Sequence, residues 1–302
     1  MDERKALDTR ASGLMIVLCM IWGLQQVVLK MAAADISPLM QIALRSGLAA
    51  LLLIPVLWLD KQSQLMNRQN LKAGVLVALL FSLEFFFLAQ ALRLTSASHA
   101  VVLLYTAPIF VALGLHWKLP SERLSLLQWS GIALAFLGIV VTFLRTQQGG
   151  NIILEQSILW GDLLALAASL AWAATTITVR LSSLAQAAVT QTLFYQLVGS
   201  FVLLLGLAIF LGQATVHFSP LVFASLTFHT LVVSFASFLA WFWLLRNYLA
   251  SRLGVFSFLT PLFGIAFGVY LLGEKVEMNF IIGTVLVMLG IIVVSLQGWL
   301  KK

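Results

Sequence analysis

Charged residues are scarce in this chain of 302 residues, since Asp, Glu, Lys and Arg together make up only 10% of it. A soluble domain carries about 25% charged residues, so the composition excludes an ordinary soluble fold. Hydrophobic residues instead reach 61%, and the mean hydropathy is +1.03. We therefore expect an all-α membrane protein that crosses the bilayer many times.

Several kinds of functional group are missing as well. The single cysteine, Cys19, excludes an internal disulfide, and no Cys/His cluster has the spacing of metal ligands. The sequence has no P-loop, no dinucleotide-binding glycine fingerprint and no GxSxG motif. We predict no cofactor, no metal and no enzymatic activity. The net charge of +7 does not indicate nucleic-acid binding, because the basic residues lie in short loops between apolar runs.

Apolar runs of roughly 20 residues, the length of a membrane helix, occur ten times along the chain. We number them span one to span ten: 13–33, 38–59, 71–92, 98–118, 124–144, 159–181, 190–211, 219–245, 251–272 and 278–299. The longest connection, 145–158, contains Gly149 and Gly150. It divides the chain into a five-helix repeat at 13–144 and a second at 159–299.

Ordered matches at an offset of 150 to 153 residues show that the two halves are repeats. Because each half holds an odd number of spans, the second half must be inverted relative to the first. Inverted repeats are typical of transporters that open alternately to the two sides of a membrane. The matched pairs are Trp22 and Trp172, Gln41 and Gln191, Pro108 and Pro261, Glu122 and Glu274, Gly131 and Gly283, and Gly138 and Gly290.

The distribution of Lys and Arg predicts the orientation. If both termini lie on one side, thirteen of the eighteen basic residues lie there and four lie on the other side. Cytoplasmic loops carry the excess of Lys and Arg, so both termini are predicted to be cytoplasmic. We call the opposite end of the bundle, with the connections 34–37, 93–97, 145–158, 212–218 and 273–277, the outer end.

Two kinds of residue mark the spans structurally. Pro108 and Pro261 fall at equivalent positions of spans four and nine, where proline is expected to kink the helix. Matching kinks in two repeats point towards a transport site, although a purely structural kink explains them equally well. The paired glycines of spans five and ten are seven residues apart, which predicts close helix packing.

Two ionisable residues lie well inside the spans. Arg45 of span two and Glu84 of span three are both predicted roughly 10–12 Å below the outer boundary, at 1.5 Å per residue. Residues of this kind inside a membrane are costly and commonly functional. One interpretation is a structural ion pair between the two. The other is that Glu84 carries a proton or faces a substrate ammonium group in a water-filled cavity.

Polar and aromatic residues at similar depths complete a candidate transport path. Gln25 of span one and Tyr105 of span four lie at the depth of Glu84. His229 of span eight is near the midplane, where transporter sites cluster, and a hydrogen-bonded structural histidine is the alternative. Trp172 of span six and Thr260 of span nine are also near the midplane.

The chain resembles the drug/metabolite transporter superfamily, and in particular the EamA-type ten-helix exporters, over about residues 13–299. The resemblance implies two helical baskets around a central cavity lined mainly by spans one, three, four, six, eight and nine. Those spans carry Gln25, Glu84, Tyr105, Trp172, His229 and Thr260, whereas Arg45 is on a more peripheral helix. The segments that carry the resemblance are Met20-Ile21-Trp22-Gly23, Arg45, Ala107-Pro108-Ile109-Phe110, and Pro261-Leu262-Phe263 through Leu272-Gly273-Glu274.

These observations favour a secondary transporter of a bacterial inner membrane that exports small metabolites, with amino acids as the first candidates. Efflux of aromatic or cationic toxic compounds is a second transport hypothesis. A receptor or scaffold that binds a partner and moves no solute is a third, and no soluble signalling domain supports it. The expected partners are a small solute and membrane lipid, without nucleic acid, and a homo-oligomer remains open.

Overall fold

The computed structural model describes residues 8–59, 68–118, 123–143, 152–248, 257 and 259–300. In this part of the chain the regular structure is helical, apart from one isolated bridge between Ile36 and Val216. The helices are α1 (Thr9–Met31), α2 (Pro38–Leu59), α3 (Arg68–Leu94), α4 (Ala97–Leu104), α5 (Ala107–Lys118), α6 (Leu126–Phe143), α7 (Ile152–Leu181), α8 (Val189–Phe210), α9 (Pro220–Thr227), a π-helix (Phe228–Ser237), α10 (Phe238–Asn247), α11 (Leu259–Leu272) and α12 (Met278–Leu300).

The predicted all-α membrane fold is confirmed. Among the described residues, seven helical stretches are long and apolar enough to cross a membrane, and three shorter apolar helices occupy Leu126–Thr142, Leu259–Leu272 and Met278–Val293. Together they overlap all ten spans expected from the sequence, and residues 251–256 and 258 of span nine lie outside the described residues. Span four consists of α4 and α5, and span eight consists of α9, the π-helix and α10.

Span six begins earlier than the sequence indicated. Helix α7 starts at Ile152, so residues 152–158 of the predicted linker are helical, while 145–151 lie outside the described residues. Hydropathy marks where a helix enters the bilayer, but a helix continues for as long as its residues favour that conformation. The segment 152–158 contains no glycine or proline, so no helix-breaking residue interrupts it.

Span four is interrupted at Tyr105 and Thr106. The Thr106 hydroxyl donates to the carbonyl oxygen of Leu103 at 2.6 Å, and its own carbonyl accepts from the Ile109 amide at 2.9 Å. Pro108 then lies in the first turn of α5, where its missing N–H needs no partner. In span nine, Pro261 lies in the first turn of α11.

The two halves pack as inverted repeats. Span one packs against span nine, and its equivalent, span six, packs against span four. Spans two and seven, which are equivalent to one another, pack together, as do spans five and ten. This pattern is what a two-fold axis in the plane of the membrane produces.

Spans five and ten meet through the paired glycines. A Cβ added to Gly131 would lie 2.8 Å from the carbonyl oxygen of Gly290, and one added to Gly138 would lie 2.6 Å from that of Gly283. The repeat symmetry exchanges these two contacts. Each glycine therefore lets the backbone of the other helix approach, which is how helices without a hydrophobic driving force pack tightly in lipid.

We expect Gly138→Ala to destabilise the protein by about 1–3 kcal/mol, because the new methyl would overlap backbone atoms and overpacking typically costs this much. The measurement is the free energy of unfolding of the purified protein in detergent. Gly206→Ala is the matched control, because Gly206 lies within α8 and an added Cβ there meets nothing within 4 Å. Equal stability of the two variants would contradict the proposed packing of spans five and ten.

Candidate functional site

Arg45 and Glu84 are both enclosed by the protein, with 2% and 5% of their surface exposed. Arg45 lies in α2, on a helix that the sequence resemblance treats as peripheral. Its side chain nevertheless reaches span one, where Nη1 donates to Oε1 of Gln25 at 3.1 Å. The guanidinium also lies over the Phe85 ring, 4.6 Å from its centroid, in a cation–π contact.

The two charges do not form a direct ion pair. Within the described residues, no Arg45 nitrogen lies within 4.0 Å of a Glu84 carboxylate oxygen. The groups are still close enough for their charges to attract each other. In the same part of the chain, Arg45 Nε and Glu84 Oε2 are buried without a hydrogen-bond partner. The site therefore holds two opposite charges that are near each other but incompletely satisfied.

His229 connects span eight to span one. Its Nδ1 lies 2.7 Å from the carbonyl oxygen of Ser225, and its Nε2 lies 3.1 Å from that of Gln25. A neutral imidazole has only one N–H, so it can donate to only one of these two carbonyls. The ring is fully buried. The geometry is that of a structural connection between the two repeats, placed directly beside the Arg45–Gln25 hydrogen bond.

Tyr105, Trp172 and Thr260 meet on the other side of this region. The Tyr105 and Trp172 rings are T-shaped, with centroids 5.3 Å apart. The Tyr105 side chain approaches Thr260 and lies close enough to Glu84 to interact with it electrostatically. Thr260 is fully buried and also approaches Cys19 of span one. The structure thus brings the candidate residues of spans one, two, three, four, six, eight and nine into one connected region.

Two features near this region were not predicted from the sequence. The first is the π-helix at Phe228–Ser237, a conformation that is rare and often found at functional sites. The second is the hydrogen bond that Trp22 Nε1 donates to Ser237 at 3.0 Å. The repeat offset of 153 residues makes Ser237 the equivalent of Glu84, but it does not predict this contact. A π-helix has no composition signal, so only the marginal helix propensity of Phe228, Thr230 and Val232 could have hinted at it.

The arrangement suits binding and passage of a polar solute. Further buried polar atoms lack partners in the described part of the chain, including both side-chain polar atoms of Gln26 and the hydroxyl of Thr230. Among the described residues, no group of three or more His, Cys, Asp or Glu could hold a metal ion. The region offers neutral polar groups, aromatic rings and one charge of each sign.

Comparison with known proteins agrees with the fold. Residues 9–144 and 159–296 each match the EamA-like transporter family, so the two matched segments correspond to the two halves of the chain. A protein of known crystal structure shares the fold, with a TM-score of 0.66 at 18% identity over 97% of this chain and 98% of the other.

Several curated relatives are similar over nearly their whole length. An uncharacterized transporter of Bacillus subtilis, YoaV, is 26% identical over 91% of this chain and 93% of its own. A probable amino-acid metabolite efflux pump of Salmonella typhimurium is 27% identical over 92% of both chains. Another of the same description in Escherichia coli is 27% identical over 94% of both. The chain therefore belongs to the EamA-like transporter family and is an integral membrane transporter.

Proposed function

We propose that this transporter exports amino acids across a bacterial inner membrane, with both termini in the cytoplasm. The observation that carries the proposal is the unpaired state of Arg45 and Glu84. A charge buried in a medium of low dielectric constant is costly unless it is paired and hydrogen-bonded. A zwitterion supplies one carboxylate and one ammonium group, so a single amino acid can satisfy both residues at once.

Each charge has a defined role in this proposal. Arg45 binds the substrate carboxylate, because its Nε has no hydrogen-bond partner within the described part of the chain and a planar guanidinium binds carboxylates well. Glu84 binds the ammonium group through Oε2. Gln25 holds the guanidinium in place by accepting from Nη1. Tyr105, Trp172 and Thr260 line the space next to Glu84 and contact the substrate side chain.

Transport follows from the inverted repeats. One repeat rocks against the other, so that the site between them opens to each side in turn. His229 joins span eight to Gln25 of span one and keeps the two repeats in register at the depth of the site. Any coupling to protons would use Glu84 or His229. The names of two relatives as amino-acid metabolite efflux pumps support the substrate class and the direction.

A second candidate is export of aromatic cations, because Glu84 lies near the Tyr105–Trp172 pair and such rings attract cations. The position of Arg45 argues against it. A cation would satisfy Glu84 but would leave the buried guanidinium without a partner, and would be repelled by it. A non-transporting receptor leaves the two inverted repeats unexplained.

We expect Arg45→Gln and Glu84→Gln each to raise the KM for an amino acid by about 30-fold or more, since losing one partner of a buried charged contact costs about 2–5 kcal/mol. The measurement is counterflow in proteoliposomes at two pH values. Glu84→Gln should also remove any pH dependence that is due to coupling. Arg180→Gln and Glu277→Gln, at residues outside the site, are the matched controls and should transport normally.

Substrate analogues with one charge distinguish the two candidates. For Arg45→Gln, an amine that lacks the carboxylate should compete with the amino acid better than it does in the wild type. For Glu84→Gln, the deaminated acid, which lacks the ammonium group, should compete with the amino acid better than it does in the wild type. If wild-type protein moved aromatic cations but no amino acid, the proposed substrate class would be wrong.

Binding should also be visible as stabilisation. An amino acid at a free concentration of 100 times its Kd should raise the unfolding free energy by about 2.7 kcal/mol. We expect this rise in wild-type protein and its loss in Arg45→Gln, measured by thermal unfolding with and without substrate. The amide of the same amino acid is the control ligand, because it lacks the carboxylate. A shift of the same size with amino acid and amide would argue against binding of the carboxylate by Arg45.

A further inference from the structure

The outer end of span four is held by a carboxylate from the other repeat. Glu274, which follows span nine, accepts hydrogen bonds from the backbone amides of Ala97 and Ser98, at 2.6 and 3.0 Å. Its Oε2 also accepts from the Ser98 hydroxyl at 2.6 Å. The amide of His99 donates to the side chain of Ser96 at 3.0 Å. The first three free N–H groups of α4 are therefore satisfied, two of them by Glu274.

The chain around Glu274 is shaped to place this carboxylate. Helix α11 ends at Leu272, and Gly273 adopts a φ of +65°, a left-handed conformation that favours glycine. The Glu274 amide then donates to the carbonyl oxygen of Gly268 at 3.2 Å. A Cβ on Gly268 would lie 2.5 Å from both Glu274 Oε2 and the Ser98 hydroxyl. Gly268 thus leaves the space that the carboxylate occupies.

A second carboxylate of the same repeat holds the adjoining residues. Asp162 of span six accepts from the Thr95 hydroxyl at 2.5 Å, and its Oδ2 lies 3.0 Å from Nδ1 of His99. The His99 ring stacks on Phe280 of span ten, with centroids 4.1 Å apart. Residues 95–99 of the first repeat are therefore bound by spans six and ten of the second repeat and by the connection between its spans nine and ten.

The two ends of span four differ in burial, and a lysine lies at the outer end. Lys30 donates to the carbonyl oxygen of Thr95 and lies close enough to Glu274 for their charges to attract. Every residue of α4 except His99 is buried. In α5, residues 110–116 are all half-buried, on every side of the helix. Span four is thus tightly enclosed at its outer end and loosely enclosed towards its other end.

We propose that Glu274, together with Asp162, forms an outer latch that holds the transporter closed at its outer end. The latch joins residues 95–99 of the first repeat to the second repeat, so these contacts must break when the two repeats rock apart there. The inference rests on the proposed alternating-access export, but it concerns the closure and not the substrate. Glu274 acts through the position of α4, and it does not touch the substrate.

The latch can open and close reversibly because it lies at the outer end of the bundle. The hydrogen bonds of Glu274 are only partly buried, and water at the outer end can replace them for both the carboxylate and the α4 amides. The attraction between a carboxylate and a helix N-terminus adds to the closed state. Removing the carboxylate should therefore favour the outward-open state without abolishing folding.

The test measures access to a residue below the latch, in the absence of substrate. Thr106 is fully buried and lies eight residues beyond Ser98, about 12 Å along a helix. Thr106→Cys is made in a Cys19→Ala background and labelled with a membrane-impermeant maleimide. Lys275→Cys, in an exposed loop next to the latch, identifies the side from which the reagent reaches the outer end.

We expect Glu274→Ala to raise the labelling rate of the Thr106→Cys thiol from that side about tenfold, because hydrogen bonds to a charged group are lost from the closed state only. Gly268→Ala should raise the labelling rate as well, because the new methyl displaces an unchanged Glu274, and Glu274→Gln should have a smaller effect.

Glu277→Ala is the matched control. Glu277 lies in the same connection and has the same charge, and its side chain makes no hydrogen bond or ion pair within the described residues.

Each outcome bears on the proposal. Faster labelling in Glu274→Ala and Gly268→Ala, but not in Glu277→Ala, supports the latch even if no amino acid is transported, and in that case only the proposed substrate would be wrong. Unchanged labelling in folded Glu274→Ala and Glu274→Gln overturns the latch, whether or not transport continues. An equal increase in Glu277→Ala also overturns it, because the effect would then be one of charge alone.

Discussion

The energetic cost of a charge inside the membrane governs this structure. Arg45 and Glu84 lie where water cannot compensate for the loss of hydration, yet they do not bind each other directly. Gln25 and the Phe85 ring stabilise the guanidinium in part. The geometry therefore differs from that of a structural ion pair, in which each charge would satisfy the other. A protein that keeps two such groups apart gains from a ligand that binds both of them.

The scaffold of the protein is symmetric, whereas the candidate site is not. The glycine contacts of spans five and ten are exchanged by the repeat symmetry, so both repeats are anchored in the same way. The functional positions are not equivalent. Glu84 corresponds to Ser237, which binds Trp22, and Arg45 corresponds to Tyr195, which accepts from Gln191 at 3.1 Å. Each charge of the first repeat is thus replaced by a neutral group that serves packing in the second.

The sequence predicted the features that depend on composition and periodicity. Ten apolar runs, the inverted repeats and the paired glycines all follow from residue type and spacing, and the structure contains helices at all ten runs. The start of α7 at Ile152 was missed, because hydropathy reports the bilayer and not the helix. The π-helix was also missed, since it depends on how span eight packs.

Contacts between distant segments were beyond the reach of the sequence. Equal depth along two helices predicted that Arg45 and Glu84 would be near each other, but depth does not fix the rotation of a helix. The hydrogen bond from Arg45 to Gln25 depends on that rotation. Glu274 was noticed as a repeat match and as part of a segment that carries the family resemblance, but nothing in the sequence places a residue after span nine against the start of α4.

The depth of each carboxylate determines the role that it can have. Glu274 lies near the outer end, where water can replace it at the amides that it binds, so the proposed latch contacts can form and break at small cost. Glu84 lies deeper and is 5% exposed, so water is a poor substitute there, and a solute that carries its own charges is a better one. A carboxylate that responds to closure and a carboxylate that responds to substrate therefore belong at different depths. Helix α4 begins at the residues that Glu274 binds and ends at Leu104, next to Tyr105, so in the proposed mechanism its movement connects the outer latch to the substrate site.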